Sequence, residues 1–594
     1  MEQGTCCYIK DYPRPQMVRK EWQDLNGIWQ FRFDDSDIGE RKEWYKGFDG
    51  ERDILVPYSY ETAMSGIGIQ TFHPNIWYQR KLDTNEVEWR NKEVILHFEG
   101  SDYRTKVWIN GQFVGSHEGG YSRFSFLVTS YLNWTDDRVV VKVEDSFDTQ
   151  QLRGKQRWKA ESFECWYVQT TGIWKSVWME AVDARHFTCL KLTPDLKAGK
   201  LTLQAEVSKE APCENAYVQA VIRFQGKILN EVRFQAASLK NTIVIDVSDK
   251  MEKSGLSGIH AWSPEKPDLY DLELKLFYGE EVCDYVGSYF GMREVEAAGG
   301  NILLNGAQLY QRLILDQGYW EESGLTPPSE EAIREDIVRT KELGFNGVRK
   351  HQKIEDERFL YWCDVLGLLV WCEAPSTYEF GDRAIENCSR EWQEIVKQNY
   401  NHPSIICWTT FNESWGIYEV RHDKKQQHFT EFIYHLIKTM DSTRLVITND
   451  GWEHTVSDII TIHDYEESAE KFEARYAKEK TEILNDKIFP NLMKTAMAEG
   501  YVYKGQPVII SEYGGIALKK DDSGWGYGNK EESTEAFLKR YEKITSAIGK
   551  LPYVCGFCYT QLTDVQQEVN GLMDAKRNYK VDPEIICKIN AGIG

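Results

Sequence analysis

The chain has 594 residues, too long for one ordinary domain and enough for about three or four. Its 71 Lys plus Arg against 93 Asp plus Glu give a net charge of −22, which repels nucleic acid and anionic membranes and excludes both as partners. No stretch reaches the ~18–20 apolar residues of a membrane span. The opening MEQGTCCYIK has no apolar secretory segment, and an odd set of 13 scattered cysteines suits reduced thiols, so a cytoplasmic location is expected.

Residues 1–182 read as all-β. IWQFRF, NIWYQRKL, EVILHFEG, RVVVKVED and KSVWMEAV are short and rich in aromatic and β-branched residues, with turn signals such as Asn110-Gly111 between strands. That density predicts a jelly-roll sandwich. Residues 183–293 continue with FTCLKL, KLTLQAEV, YVQAVIRF, NTIVIDV and LYDLELKLF, which fit one immunoglobulin-like sandwich.

The rhythm changes over 294–594. Eight apolar strands follow: QLYQRLILD, FNGVRKH, GLLVWCEA, SIICWTTFN, RLVITND, DIITIHDY, QPVIISEY and YVCGFCYT. Helical segments such as EEAIREDIVRTKEL, with Ser329 as its N-cap, fill most gaps; the link between strands five and six is too short for a full helix. Eight such units predict a (β/α)8 TIM barrel. Cys555-Gly-Phe-Cys558 has the spacing of a redox pair but lies inside a strand, where residues three apart face opposite sides, so no redox or metal centre is expected there.

In such barrels chemistry sits at the C-terminal strand ends. Those ends carry Asp316, Arg349, His351, Glu373, Asn412, Glu413, Asn449, Asp450, His463, Tyr465, Glu512 and Tyr559. Any one of them has an ordinary explanation as a strand-end cap or salt bridge; a whole ring of acids, histidines and aromatics does not. Glu413 in WTTFNESWG and Glu512 in VIISEYGG both follow fully apolar strands, so both are expected to be partly desolvated and to face one another. Paired carboxylates are the requirement of glycoside hydrolysis. The acid of such a pair needs a raised pKa, from burial or a neighbouring charge, to stay protonated near neutral pH. The other carboxylate must stay ionised, which Arg349 and the Tyr465 hydroxyl are suited to ensure. Nearby aromatic residues, Trp415 among them, are suited to stack on sugar rings.

The order of sandwich, immunoglobulin-like domain and barrel, together with LNGIWQF, GGYSRF, TTGIWKSVWME, NHPSIICWTTFNESWG and VIISEYGG, resembles glycoside hydrolase family 2 over nearly the whole chain. The resemblance implies that Glu413 is the general acid/base, Glu512 the nucleophile, Asn412 the reader of the sugar 2-hydroxyl and Tyr465 a contact of the nucleophile. Substrate contacts are expected from Asp316, Arg349, His351, Trp415, His463, Tyr559 and Glu568 as well. It implies an exo-acting, retaining β-glycosidase on an oligosaccharide or glycoside, with β-galactosides first and β-glucuronides, β-mannosides or arabinosides as alternatives. Dimers or tetramers are common in the family. A non-catalytic carbohydrate-binding protein on the same scaffold is the rival from another class. Large metal-dependent β-galactosidases carry carboxylate and histidine ligands after strand three, and only part of that set has a counterpart near Glu373, so no metal or other cofactor is expected. Family β-glucuronidases carry Asn-x-Lys just after strand eight. Here the stretch is Asn570-Gly571-Leu572, with Glu568 beside it, which favours a neutral sugar.

Overall fold

A computed structural model describes residues 5, 7–84, 87–250, 258–485, 494–519 and 524–593. The first sandwich packs a six-stranded antiparallel sheet on a four-stranded one, with Trp29, Phe31, Tyr78, Leu96 and Val141 in the core between them. The second pairs a three-stranded sheet with a four-stranded one. Its strand Lys200–Val207, KLTLQAEV, buries every second side chain, the period-two pattern of a half-covered sheet. Two of its strands, Lys227–Gln235 and Glu281–Phe290, escape the sequence reading. They are the two edges of the four-stranded sheet, and the first leaves most of its side chains partly or fully open, so its alternation is weak.

The barrel strands are β1 (Gln311–Asp316), β2 (Gly347–Lys350), β3 (Leu369–Glu373), β4 (Ile405–Thr409), β5 (Leu445–Ile447), β6 (Ile460–His463), β7 (Val508–Gly514) and β8 (Val554–Thr560). They form one parallel sheet in the order β5-β4-β3-β2-β1-β8-β7-β6, nearly closed on itself. The surrounding helices are α1 (Glu330–Glu342), α2 (Glu357–Leu366), α3 (Asp382–Asn399), α4 (Lys424–Met440), α5 (Ala469–Leu484), α6 (Thr534–Gly549) and α7 (Pro583–Ala591). Ser329 caps α1 by accepting the Ala332 amide at 3.1 Å. Residues 448–459, between β5 and β6, carry no helix. Among the described residues no helix is long and apolar enough to cross a membrane.

Alternation along the strands decides which side chains reach the mouth. Leu313, Leu315, Leu369, Trp371, Cys407, Ile447, Ile509 and Cys558 fill the lumen. Ile314, Val348, Cys372, Trp408, Ile462, Ile510 and Tyr559 belong to the layer between strands and helices. Two expected site residues fall on that outer side. Asp316 pairs with Lys350 at 2.6 Å, and Tyr559 packs on Tyr541 of α6 and on Tyr513. Neither reaches the mouth. By the same rule Arg349 and Glu373 point inward, one residue past Val348 and Cys372. Glu512 points inward through a register shift in β7 between Ile510 and Tyr513, both of which face the helices; the extra residue turns the carboxylate into the barrel. Burial raises the thiol pKa of Cys555 to about 11 and that of Cys558 further, so neither supplies a thiolate at neutral pH.

The first sandwich is tied to the barrel by a buried lysine. Lys175 Nζ donates to the carbonyls of Ile354 (2.9 Å) and Glu355 (3.1 Å) in the loop leading to α2, and to Tyr121 O of its own domain at 3.3 Å. The loop at 145–171 lies over the barrel mouth, held by the Arg153 and Gly154 amides on the Ser376 carbonyl (3.0 and 3.1 Å) and by the Tyr378 hydroxyl on the Gly154 carbonyl at 2.5 Å.

Candidate active site

Arg349, at the end of β2, is fully buried and stands at the centre of the mouth. Its Nε donates to Glu373 at 2.6 Å, and Nη1 to Glu512 Oε1 at 2.7 Å and the Ser511 carbonyl at 3.3 Å. Nη2 reaches Asn412 Oδ1 at 2.7 Å and Asp450 Oδ2 at 2.9 Å. Four hydrogen bonds and the ion pair with Asp450 thus surround the guanidinium. Tyr465, just past β6, donates its hydroxyl to the other oxygen of Glu512 at 2.5 Å. Burial and the Glu512 charge push the Tyr465 pKa far up, so it stays a neutral donor. Tyr527 stacks flat against its ring at 3.4 Å.

Glu413 reaches the mouth by a backbone contortion. It and Ser414 adopt left-handed φ values of 52° and 60°, a conformation that costs a non-glycine residue on the order of 1–3 kcal/mol. The turn is held by Glu413 N to Asp450 O (2.9 Å), Ser414 N to Asn449 Oδ1 (2.9 Å) and Ser414 Oγ to Glu453 (2.6 Å). His463, ending β6, lies between the acids. Its Nδ1 is 2.8 Å from Glu413 Oε1 and 3.5 Å from Glu512 Oε2, and its Nε2 is 3.1 Å from Asp450 Oδ2. The Glu413 side chain keeps 20% of its surface open, whereas Glu512 keeps 5%, so the first is the one that meets solvent.

The charges are strongly coupled. Burial pulls the His463 pKa down, but Glu512 and Asp450, with the hydrogen bonds to Asp450 and Glu413, raise it to about 10. Burial pushes Glu413 up, yet the hydrogen bond and charge of His463, then Lys155 and Arg349, outweigh it and hold the carboxyl below its ordinary value. This reverses the raised pKa that the sequence leads one to expect, and the cause is the imidazolium beside it. Near neutral pH these shifts leave the proton of the coupled pair Glu413–His463 on the ring. Burial lifts Glu373 to about 7, with Asp450 adding to the lift and Arg349 opposing it. Donor atoms of Glu413, His463 and Glu512 lie within 4.8 Å of one another, a spacing a metal ion could use. A protonated His463 is a donor and not a ligand, so a metal would first have to displace that proton.

The remaining sequence-derived residues divide between centre and rim. Arg349, Asn412, Glu413, His463, Tyr465 and Glu512 come together as described. His351 Nδ1 comes within 3.0 Å of Glu373 without an aligned hydrogen bond, and burial, with Lys155 and Arg349, keeps its ring neutral. Trp415 joins an aromatic wall with Trp166 (5.2 Å between centroids) and Tyr378 (5.7 Å). Glu568, in the loop after β8, accepts from Tyr167 at 2.5 Å and Asn570 at 3.1 Å. Gln317 donates to Tyr167 at 3.0 Å and to Gln561 at 2.9 Å.

Lys155, Trp158, Tyr167, Asp450, Gln317 and Tyr527 complete the site without having been assigned to it from the sequence. Asp450 is in the strand-end ring read from the sequence, and Gln317 directly follows Asp316 at the end of β1. Lys155, Trp158 and Tyr167 come from the sandwich, where nothing local marks them.

Three family models match the chain in succession. "Glycosyl hydrolases family 2, sugar binding domain" covers residues 22–181, "Glycosyl hydrolases family 2" residues 186–293, and "Glycosyl hydrolases family 2, TIM barrel domain" residues 295–570. The chain belongs to glycoside hydrolase family 2. Among family relatives, a β-galactosidase of Thermoanaerobacter pseudethanolicus is 28% identical over 403 residues, covering 66% of this chain and 50% of that protein. A β-glucuronidase of Streptococcus agalactiae is 21% identical over 570 residues, covering 91% and 90%. The solved β-glucuronidase of Ruminococcus gnavus matches in fold with a TM-score of 0.78 at 18% identity, over 98% of this chain and 100% of its own. The chain spans about half the length of the Thermoanaerobacter relative.

For a family 2 site of this geometry, His463→Asn removes the cation that depresses Glu413. The Glu413 pKa then rises, and for the acid role proposed below for Glu413 the alkaline limb of kcat/KM moves to higher pH. A pH profile on a nitrophenyl glycoside measures this; a limb that stays in place or moves to lower pH would show that His463 does not govern that ionisation.

Proposed function

We propose that this family 2 enzyme is an exo-acting, retaining β-glycosidase that releases a neutral terminal sugar, a β-galactoside first among the choices. The observation that carries the reading is the pair Glu413 and Glu512, with carboxylate oxygens within 4.8 Å of one another and opposite surroundings. So close an approach supports the ~5–5.5 Å separation of retaining enzymes over the ~6.5–9.5 Å of inverting ones.

Glu512 suits the nucleophile. Arg349 and Tyr465 each donate to one of its oxygens, which keeps it ionised and fixes its direction of attack on C1. Glu413, the more open of the two, suits the acid/base: it gives a proton to the departing oxygen and later takes one from the water that releases the sugar. His463 holds the proton in reserve beside it. When the glycosyl–enzyme bond forms, Glu512 loses its negative charge, and Glu413, next to an imidazolium, is ionised as the second step requires. Asn412, held by Arg349, suits the 2-hydroxyl. A non-catalytic binding protein would have no use for a strained turn that brings a second carboxylate to the first.

The choice of a neutral sugar rests on charge. Leu572, where a uronate-binding site would carry lysine, is fully buried. Lys576 has a side chain 70% exposed, 3.9 Å from Glu321, and does not fold into the mouth. Arg349 is fully engaged, and the buried Glu568 repels a sugar carboxylate. Relatives bearing the names β-galactosidase and β-glucuronidase both match the chain, so the sugar is decided by assay.

With nitrophenyl glycosides at equal concentration, kcat/KM for the β-galactoside is expected to exceed that for the β-glucuronide by at least ~10-fold, about 1.4 kcal/mol. A preference for the glucuronide overturns the neutral-sugar reading. Glu512→Ala should abolish turnover, and added azide should restore cleavage with a glycosyl azide of inverted configuration as product; a near wild-type rate without azide would remove Glu512 from the nucleophile's place. Glu413→Gln should slow alkyl glycosides by about 10²–10⁴-fold while dinitrophenyl glycosides, which leave unaided, lose far less. Equal losses on both would rule out the acid/base role.

A further inference from the structure

The sandwich loop carries an ammonium to the aromatic wall of the mouth, where Trp166 meets Trp415. Lys155 is 93% buried by its 7% exposure, and its Nζ sits 5.9 Å over the ring of Trp166. Its backbone carbonyl accepts the Tyr167 amide at 2.8 Å, and Tyr167 in turn bonds Glu568. Among the described residues no carboxylate comes within the 4.0 Å of an ion pair with Lys155, although Glu568, Glu413 and Glu512 all act on it. Burial lowers its pKa, but the Cys165 thiol and these three acids raise it by more, so it is a cation at neutral pH. An ammonium has three N–H donors, and with no carboxylate in ion-pair reach those of Lys155 remain available to a ligand oxygen.

We propose that Lys155, acting together with Glu568, reads the substituent on C5 of the bound sugar and selects a hydroxymethyl group. The inference rests on the reading of Glu413, Glu512 and Asn412 given above. With C1 between the two glutamates and the 2-hydroxyl at Asn412, the far side of the ring is determined, because C5 lies across a pyranose from C2. Asn412 follows β4. In the strand order, β8 is four strands from β4 in either direction around the barrel, so the loop after β8 faces Asn412 across the mouth. Glu568 lies in that loop, and Lys155 comes to it from the sandwich.

A hydroxyl is both donor and acceptor. The 6-hydroxyl accepts from Lys155 and donates to Glu568, and both buried groups are satisfied. A uronate carboxylate accepts from Lys155 but has no proton to give Glu568, and against the ionised form of Glu568 it meets a like charge. A 6-deoxy sugar leaves Lys155 and Glu568 without the ligand's partner atoms. A site that hydrogen-bonds a substrate hydroxyl discriminates strongly against the analogue lacking it. Lys155 is therefore a specificity-determining residue contributed by the domain that carries no catalytic glutamate.

The test compares the best neutral nitrophenyl glycoside with its 6-deoxy counterpart; for a β-galactoside that is the β-D-fucoside. The wild type is expected to favour the hydroxylated sugar by at least ~10-fold in kcat/KM. Lys155→Met should bring that ratio to within about threefold of unity, through a higher KM for the hydroxylated sugar and little change for the deoxy sugar. The isosteric Glu568→Gln should reduce the same ratio and raise glucuronide cleavage relative to the neutral sugar. A wild type indifferent to the 6-hydroxyl, or variants that lose equally on both sugars, would overturn the proposal. Should Lys155→Met be inactive on every sugar, the ratio in Glu568→Gln decides. Failure of the underlying glycosidase reading would appear separately, as a wild type that cleaves no neutral glycoside at all.

Discussion

The site depends on one buried guanidinium. Arg349 receives carboxylates from three different strand ends, Glu373 of β3, Asp450 beyond β5 and Glu512 of β7, and the amide oxygen of Asn412 beyond β4. Burying so much negative charge without it would cost several kcal/mol per ion. A lysine could not replace it, because an ammonium is a point donor and the acceptors here lie around a planar fork. Its pKa is far above ordinary despite burial, because Asp450, Glu373 and Glu512 surround it. The orientation of both Glu512 and Asn412 follows from that single residue, so the groups proposed for C1 and the 2-hydroxyl are aligned by one rigid plane.

The second constraint is the distribution of protons. The mouth gathers Glu373, Glu413, Asp450, Glu512 and Glu568 around Arg349, His463 and Lys155, and not all of the acids can be ionised together. Burial lifts Glu373 and Glu568, while Arg349 and His463 hold Asp450 down. His463, with contacts to three carboxylates, is the hinge of this arrangement. Its hydrogen bond and charge, with Lys155 and Arg349, together outweigh the desolvation of Glu413, which is why a site with a dry, aromatic wall still holds this carboxyl below its ordinary value.

The third is that two domains build one mouth. The loop at 145–171 contributes Lys155, the stacking pair Trp158–Tyr378 (4.2 Å) and the Tyr167–Glu568 bond, while Gln567 and Trp525 hold the loop by its carbonyls at Glu164 and Trp166. The barrel supplies the groups proposed to break the bond, and the sandwich supplies a wall and a cation. Lys175 is one tie between them, with Arg123 on Glu357, Ser122 on Glu394 and Thr326 on the Trp174 carbonyl as others.

The sequence by itself determined the barrel, the two sandwiches and the pair Glu413 and Glu512, because those features are local: apolar strands of regular spacing, each ending in a polar residue. The expectations for Asp316 and Tyr559 failed at the next level of detail. Being at a strand end does not say which face a side chain takes; alternation sends both toward the helices, while one extra residue in β7 turns Glu512 inward. The depressed Glu413 and the charged His463 were not legible either, since a pKa is set by neighbours in space, here residues 50 and 13 positions away along the chain. Lys155 lay furthest from reach. It is an ordinary lysine in a polar loop until the folded seam carries it to Glu568, more than four hundred residues onward, and only the tertiary structure makes that encounter.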